Sequence, residues 1–342
     1  MHQRWIHMAN PAISILIPVY NEAEALPDLL RRLGQVLGGL DESWEVLFVN
    51  DGSHDATWPQ LRDKHSEDER FRAISLSRNF GKEIAIAAGL RYAKGDAVIL
   101  MDADLQHPPE VVAKFVEHWR EGYKIVYGQR IDRRTDGPMR RFLAKVFYQI
   151  YNALVDTDIP EGAGDFRLLD RQAVDALNDI GERTRFNKGL YSWIGFKSIG
   201  VPYTVVERKH GNSKWSFINL ATFAVDGLTS FTTIPLRVWS LVGVIISLFA
   251  LVYAGGYFVR TLVFGIDVPG FPSLIISVMF FSGVQLISLG VLGQYIGRIY
   301  EEVKARPLFI VAEELGVEQK ARVGFIEQEV AGSGDKKVKA DA

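Results

Sequence analysis

Short apolar runs alternate with longer amphipathic segments along the first third of the chain. The runs are rich in Ile, Val, Leu and Phe, as in strands that are buried on both faces of a sheet. Between them, apolar residues recur at helical spacing, notably in 23–37 and 83–93. Strands that alternate with helices predict a parallel, doubly wound α/β sheet, in which ligands bind at the carboxyl ends of the strands. The predicted strands are Ile13–Ile17, Trp44–Val49, Phe71–Leu76, Ala97–Met101 and Ile125–Tyr127.

Two later segments have an amphipathic pattern. Segment 140–155 places basic residues beside aromatic and aliphatic ones, a pattern typical of helices that lie in a lipid headgroup layer. Segment 217–236 carries polar residues along one side of a predicted helix and Leu and Phe along the other. Helices that pack on the core of a soluble domain have the same pattern, so both interpretations stay open for each segment.

Two uncharged apolar stretches follow, at about 238–259 and 274–296. At about 1.5 Å per residue, each is long enough to cross a hydrocarbon layer of roughly 30 Å. Basic residues precede the first stretch and follow the second, whereas the loop 260–273 offers only Arg260. By the positive-inside rule, both flanks are expected in the cytoplasm. A helical hairpin buried in a soluble protein is the alternative.

These patterns predict the division of the chain. The N-terminal extension has no apolar run long enough for a secretory signal, and the tail from Glu313 onward, rich in Glu, Lys and Gly, is predicted to be solvated and disordered. We therefore expect an inner (plasma) membrane protein with its α/β domain and both termini in the cytoplasm. The predicted parts are an extension at 1–11, an α/β domain at 12–216 containing the interface helix 140–155, a second interface helix at 217–236, two transmembrane helices within 237–298, and a cytosolic segment at 299–342.

Composition narrows the classes of partner and site. Apolar residues make up 48% of the 342 residues, which is high for a wholly soluble protein. The net charge of −2 gives no general signal for nucleic-acid binding, and no nucleic-acid partner is predicted. The absence of Cys excludes disulfides, thiolate metal sites and Cys nucleophiles. The strongest local basic run, from Arg130 to Arg141, suits anionic lipid headgroups.

Polar residues follow three of the predicted strands. Asp102 and Asp104 come one residue apart just after an apolar strand, where they suit a hard divalent cation. The segments 18–22 and 50–55 place acids, amides and an aromatic ring at two other strand ends. Each could be turn and cap chemistry alone, but three such loops at one crevice favour a ligand site. The four histidines His54, His107, His118 and His210 lack metal-ligand spacing and are interpreted as polar surface or loop residues.

The chain resembles the family 2 glycosyltransferases of GT-A fold in three motifs, Pro18-Val19-Tyr20-Asn21-Glu22, Asn50-Asp51-Gly52-Ser53 and Asp102-Ala103-Asp104-Leu105-Gln106. It resembles their polyprenyl-phosphate branch, which includes dolichol-phosphate mannose synthases and bactoprenol glucosyltransferases, in Gly164–Arg167, in Arg208–Lys214 and in the two apolar stretches. The resemblance implies an α/β fold with a GT-A-type doubly wound mixed sheet, amphipathic interface helices and a C-terminal transmembrane hairpin.

The resemblance also implies roles for single residues. The catalytic residues would be Asp165, near the reacting carbon, and Arg208, on a phosphate. Mg²⁺ or Mn²⁺ would bind at Asp104 and Gln106. The nucleotide-sugar would contact Pro18, Tyr20, Glu22, Asp51 and Asp102. The acceptor phosphate would contact Arg130, which follows the predicted strand 125–127, together with Arg141 and Lys214.

The implied reaction is an inverting, metal-dependent transfer of a sugar from a nucleotide-sugar to a polyprenyl phosphate such as undecaprenyl phosphate, for modification of envelope glycans. A divalent cation and an Arg would stabilise the leaving diphosphate. The acceptor is already anionic near neutral pH, so Asp165 as a base and Asp165 as a positioning residue both stay open. Glucose from UDP-glucose is favoured by the resemblance of segments 164–171 and 192–196 to the bacterial glucosyl branch. N-acetylglucosamine, mannose and an aminoarabinose derivative stay open.

Two other functions compete with this interpretation. A processive polysaccharide synthase would also use the aspartate pair, but its Gln-x-x-Arg-Trp signature is absent from the sequence. A non-catalytic membrane scaffold would not need Asp104, Gln106, Asp165 and Arg208 together. Glycines within the two apolar stretches offer packing surfaces for a possible homo-oligomer.

Overall fold

The computed structural model describes residues 11–131, 149, 160, 162–183, 185–204, 232–264 and 270–317. The predicted interface helix 140–155 lies outside these residues except for Gln149, and the second, 217–236, lies outside them up to Phe231. The domain boundaries drawn from the sequence stay predictions.

One mixed sheet of eight strands organises the described part of the chain. Its spatial order is β7-β5-β6-β4-β1-β2-β3-β8. Neighbours are parallel except where β6 pairs with β4 and β5 and where β8 pairs with β3. The strands are β1 Ile13–Val19, β2 Trp44–Asn50, β3 Phe71–Leu76, β4 Ala97–Leu100, β5 Ile125–Arg130, β6 Ala163–Asp170, β7 Ser198–Tyr203 and β8 Val311–Leu315.

Helices cover both faces of this sheet, which confirms the predicted doubly wound mixed α/β fold. One face packs against α1, α2 and α4, and the other against α3, α5 and α6. In α1 the buried residues Leu26, Leu29, Leu33 and Leu37 recur at helical spacing. The helices are α1 Leu26–Leu37, α2 Thr57–Glu67, α3 Lys82–Tyr92, α4 Val112–Arg120, α5 Arg171–Asp179, α6 Asn187–Trp193, α7 Ile234–Phe264 and α8 Phe271–Val303.

The strand β6 carries Asp165 to the carboxyl edge of β4. The hydrophobic pattern of the sequence did not predict this strand. It runs antiparallel between β4 and β5, with Leu100 opposite Arg167. Asp165 therefore lies beyond the last paired residue of β4, at the level of the loop that carries Asp102. At its other end, the Asp170 side chain accepts the Gln172 N–H at 3.0 Å and caps α5.

Two predicted bounds were wrong near the site. The first helix begins at Leu26 rather than at 23, because the loop before it is tied to a neighbouring loop by Asp55, which accepts the Ala23 N–H at 3.1 Å. The strand predicted at 125–127 continues to Arg130, because Arg130 keeps its register with Tyr203 of β7. Arg130 is thus the last residue of β5 and does not follow the strand.

The predicted disorder from Glu313 was wrong for residues 313–317, and the rest of that tail lies outside the described residues. Residues Val311–Leu315 form β8, which adds an antiparallel edge strand to β3. The side chain of Glu313 pairs with Arg62 at 2.9 Å, and the carbonyl of Gly316 accepts from Arg72 Nε at 2.9 Å. An edge strand has one side in solvent and often carries charged residues, so the sequence pattern of this segment resembles that of a solvated tail.

The two apolar stretches form the long helices α7 and α8. Windows Leu236–Phe264 and Ile276–Val303 are long and apolar enough to cross a membrane, and neither is buried within the chain. Both helices extend past the predicted spans, so Arg260 lies within α7. In the last turn of α8, Glu302 accepts the Arg183 N–H at 2.7 Å, and just after the helix the carbonyl of Arg306 accepts from Arg183 Nε at 3.0 Å. These bonds join the end of α8 to the sheet domain.

Candidate active site at the carboxyl edge of the sheet

The loops after β1 and β2 are bonded to each other. Asn21, in the left-handed region at φ 54°, donates its N–H to Ser53 Oγ at 2.9 Å. Its own side-chain oxygen accepts the His54 N–H at 2.9 Å. The Glu22 N–H bonds Thr57 Oγ1, also at 2.9 Å. The segments 18–22 and 50–55 thus form one continuous wall, as their places in the sequence predict.

Asp51 joins this wall to the loop after β3. Its carboxylate is 3% exposed and accepts the N–H groups of Phe80 and Gly81 at 2.7 and 2.9 Å. Burial raises the pKa of Asp51, against these two hydrogen bonds, which lower it. Gly52 beside it has φ +70°, and a Cβ there would lie 2.4 Å from the backbone carbon of Arg78. Only glycine permits this approach of the two loops.

The loop after β4 is a tight turn that presents the acidic motif. Asp104 Oδ1 accepts the Gln106 N–H at 3.1 Å, and Leu105 adopts φ 60°. The Asp102 N–H donates to His107 Nδ1 at 3.0 Å. These bonds keep Asp102, Asp104 and Gln106 in one turn, on the side of the sheet where β1 and β2 also end.

His107 lies in the loop after β4, one of the two places predicted for it, but it is buried and not at the surface. The ring is 8% exposed and stacks on Phe166 of β6 with centroids 4.8 Å apart. Burial lowers the pKa of His107, so the imidazole is neutral at pH 7. Because Nδ1 accepts a hydrogen bond, the proton lies on Nε2, which is 3.9 Å from a carboxylate oxygen of Asp102. His107 therefore holds the acidic turn against Phe166 of β6.

Lys82 links the acidic turn to Asp165. Its Nζ lies 2.7 Å from Asp102 Oδ1 and 2.8 Å from Asp165 Oδ2. Burial would lower the pKa of Lys82, but the two carboxylates raise it well above its usual value. Burial would likewise raise the pKa of Asp165, but the charges of Lys82 and Lys188 bring it well below its usual value. All three groups are therefore charged at neutral pH.

A second acid lies behind this bridge. Glu83 accepts the Asn187 N–H at 2.8 Å, which docks the start of α6 on α3. Burial, helped by the negative charge of Asp165, raises the pKa of Glu83 to about 7. Sequence analysis missed both Lys82 and Glu83. The available signal was the position of Gly81-Lys82 at a helix start just after a third parallel strand, at the edge where the acidic loops lie.

The predicted site residues are only partly brought together. The structure gathers Asp51, Asp102, Asp104 and Gln106 at one edge, with Asp165 joined to Asp102 through Lys82. Pro18 lies within β1 opposite Val49, and Tyr20 and Glu22 follow in the first loop. Arg130 ends β5 on the far side of β6. The remaining candidates Arg141, Arg208 and Lys214 lie outside the described residues.

The acidic turn offers part of a metal site. Among the described residues, no group of three or more His, Asp or Glu side chains is arranged to hold a metal ion. Magnesium often uses one or two carboxylates and takes its other ligands from water and substrate phosphates. Asp104, with Asp102 and the Gln106 amide on the same turn, fits that oxygen donor set. The residues present are compatible with a metal that binds together with a diphosphate.

Comparison with known proteins matches these features to one family. The profile described as Glycosyl transferase family 2 matches residues 14–177. The chain is 45% identical to the putative glycosyltransferase CsbB of Bacillus subtilis, over 90% of this chain and 93% of the relative. It is 43% identical to the SfII prophage-derived bactoprenol glucosyl transferase of Shigella flexneri, over 87% of this chain and 97% of the relative.

Similarity to solved structures is more distant. A mannosyltransferase from Pyrobaculum calidifontis, solved in complex with GDP-Man and Mn²⁺, aligns with a TM-score of 0.45 and 20% identity. The alignment covers 64% of this chain and 63% of that chain.

Proposed function

This chain belongs to glycosyltransferase family 2, and we propose that it transfers glucose from UDP-glucose to a polyprenyl phosphate, with inversion at the anomeric carbon. The observation that carries the proposal is the 43% identity to a bactoprenol glucosyl transferase over nearly its whole length. The carboxyl edge of the sheet supports it, since three loops there gather the carboxylates that such a donor needs.

The residues at the carboxyl edge of the sheet would have separate roles in binding the donor. The wall formed by 18–22 and 50–55 would hold the nucleoside, with Asp51 keeping the loops in place. A divalent cation, magnesium or manganese, would be held by Asp104 and Gln106 and would supply positive charge beside the leaving diphosphate. Lys82 keeps a second positive charge at the same turn, 2.7 Å from Asp102. Developing negative charge on the diphosphate would thus meet cations already in position.

Asp165 would act on the opposite side of the reacting carbon. Its carboxylate is ionised and fixed by Lys82 at 2.8 Å. The acceptor phosphate is itself a nucleophilic anion, so we propose that Asp165 orients the acceptor and offsets positive charge on the sugar ring. Arg130, Arg141, Arg208 and Lys214 are proposed as contacts for the acceptor phosphate.

A lipid acceptor places the reaction at a membrane surface. We propose that α7 and α8 span the inner membrane as a hairpin, with the sheet domain and both flanks in the cytoplasm. Long apolar windows in both helices and basic residues at their outer flanks support this orientation. Assembly into a homo-oligomer through glycines of α7 and α8 stays a prediction.

The function is tested with the full chain in bilayer nanodiscs. With radiolabelled UDP-glucose, undecaprenyl phosphate and Mg²⁺ or Mn²⁺, we expect one labelled lipid product that carries a single sugar. Undecaprenol, which lacks the phosphate, is the matched control and should stay unlabelled. A panel of other nucleotide-sugars tests the sugar. If no nucleotide-sugar in the panel gives labelled lipid, transfer to a polyprenyl phosphate is contradicted. A polymeric product would favour a processive synthase.

Removal of metal should stop the reaction. In excess EDTA we expect transfer to fall by about a hundredfold or more, because positive charge beside the leaving diphosphate is lost. Addition of Mg²⁺ or Mn²⁺ beyond the chelator should restore it, and initial rates measured against free metal give the apparent affinity. Full turnover in EDTA would rule out the metal assignment.

Replacement of Lys82 should disable the site without unfolding the protein. In Lys82→Met we expect kcat/KM for UDP-glucose to fall about a hundredfold, because a preorganised charge is removed and the two carboxylates repel each other. Lys82→Arg should recover part of the loss. Lys114→Met, on the exposed side of α4, is the control and should match the unmodified protein. Equal activity of Lys82→Met and the control would remove Lys82 from the mechanism.

A further inference from the structure

A cavity of about 110 Å³ opens beside the reaction centre, between α6 and the strands β5, β6 and β7. The residues that line it include the aromatic Tyr127, Tyr191 and Phe196 and the hydroxyl-bearing Ser192 and Ser198. Rings that offer apolar surface beside a few placed polar groups are typical of pockets for small organic ligands. None of these residues has a role in the mechanism above.

Tyr191 carries the clearest sign that a ligand belongs here. The residue is 2% exposed, and among the described residues its hydroxyl has no hydrogen-bond partner. The guanidinium of Arg167 lies 3.7 Å from the ring centroid and holds the ring in place. A buried hydroxyl without a partner is costly, and nearly all such groups in proteins are satisfied. A polar group of a bound ligand would satisfy this one.

A second unsatisfied atom lies at the reaction centre. Oδ1 of Asp165 is buried and has no hydrogen-bond partner among the described residues, while Oδ2 is bonded to Lys82. Asp165 and Arg167 lie two residues apart on β6, on the same face and about 6.6 Å from each other along the strand. A ligand that reaches from Asp165 into the cavity would therefore meet both free oxygens.

Charge and size indicate the class of ligand. Two cations, Arg167 and Lys188, line the cavity. Both lower the pKa of the nearby Asp165 carboxyl, and Lys188 also lowers that of Glu83. Because acids offset these cations, the cavity suits an uncharged polar ligand better than a second anion. A cavity of about 150 Å³ holds a benzene ring. The space here therefore fits one edge of a six-membered ring, with the rest of the ring toward Asp165.

We infer that this cavity receives the hydroxyl-bearing edge of the donor hexose and that the Tyr191 hydroxyl bonds one of its hydroxyl groups. The inference rests on the proposed function, since it makes Tyr191 a determinant of sugar choice at that site. The anomeric carbon would stay at Asp165 while the far side of the ring enters the cavity.

The test is Tyr191→Phe, which removes only the unpaired hydroxyl. We expect kcat/KM for UDP-glucose to fall about tenfold or more, because a site built to bond a substrate hydroxyl discriminates strongly when that bond is absent. Assays with the 3-, 4- and 6-deoxy analogues of UDP-glucose then locate the bond. For the analogue that lacks the bonded hydroxyl, Tyr191→Phe should cause no further loss.

Two results would overturn the inference. One is an unchanged kcat/KM in Tyr191→Phe, and the other is the same fold loss for glucose and for all three deoxy analogues. Tyr92→Phe is the control, because the Tyr92 hydroxyl bonds Glu314 of β8 at 3.1 Å, at the opposite edge of the sheet. It should leave sugar discrimination unchanged, and thermal unfolding should show both variants folded.

Failure of the proposed function is separable from failure of this inference. Calorimetry without acceptor compares the affinities of UDP-glucose and UDP, and their ratio reports the sugar contacts alone. We expect Tyr191→Phe to reduce that ratio even in a preparation that makes no lipid product. An unchanged ratio would contradict binding of the hexose in the cavity. A missing lipid product would contradict polyprenyl phosphate as the acceptor.

Discussion

Asp165→Asn is expected to lower kcat for glucosyl transfer by about a thousandfold, within the range for loss of a preorganised group that stabilises charge in the transition state. Burial alone would raise the pKa of Asp165, but Lys82 and Lys188 lower it, so the wild-type carboxylate is charged at all pH values above about 5. Asn keeps the shape and removes the charge. The reacting carbon would then lack its nearest anion, and Lys82 would pair with Asp102 alone.

Measurement of kcat and KM with labelled UDP-glucose checks this expectation. KM should change little, because the substitution removes an interaction made in the transition state. Asp175→Asn is the matched control, since that carboxylate is 62% exposed on α5 and, within the part of the chain that the structure describes, pairs with Arg171 at 3.6 Å. Turnover of Asp165→Asn within threefold of that control would place the reacting carbon elsewhere.

Asp104→Asn should have the next largest effect, a loss of transfer of about a hundredfold to a thousandfold. A neutral amide oxygen is a weaker ligand for a hard cation than a carboxylate. The turn itself should persist, because the amide oxygen of Asn can still accept the Gln106 N–H that Asp104 accepts at 3.1 Å. The loss should therefore come from metal affinity and not from folding.

Titration of activity with Mn²⁺ tests that explanation directly. We expect the concentration of metal at half-maximal rate to rise and the thermal midpoint to stay within a few degrees of the unmodified protein. Asp63→Asn, an exposed aspartate of α2, serves as the control. Normal turnover and normal metal dependence in Asp104→Asn would disprove the assignment of this residue.

The parallel half of the sheet was predictable because its strands are buried on both faces. Ile15, Leu16 and Ile17 of β1 are all fully buried, so the strand reads as a continuous apolar run. The strand β6 has no such run at its start, where Gly164, Asp165 and Arg167 serve the site. Its place between β4 and β5 also depends on long-range pairing, which local periodicity does not report.

The site residues were predictable only where they follow a strand that the sequence pattern reveals. Asp102 and Asp104 follow a recognisable strand, so their place at the carboxyl edge follows from the topology. Lys82 begins a helix, where a cation is locally unfavourable. Its partners Asp102 and Asp165 lie 20 and 83 residues away in the sequence. The helix start after β3 indicates that Lys82 lies at the same edge of the sheet, but the ion-pair bridge also needs Asp165, which only the insertion of β6 beside β4 brings there.

The return of the chain from α8 to the sheet has a kinetic consequence. Seven residues separate the end of α8 at Val303 from the start of β8 at Val311, a reach of at most about 28 Å. If α8 spans the bilayer as proposed, this connection would hold the sheet domain at a constant height above the membrane and confine encounters with the acceptor to two dimensions. The rate should then follow the number of acceptor molecules per unit area of membrane, and dilution of the vesicles in buffer should leave it unchanged.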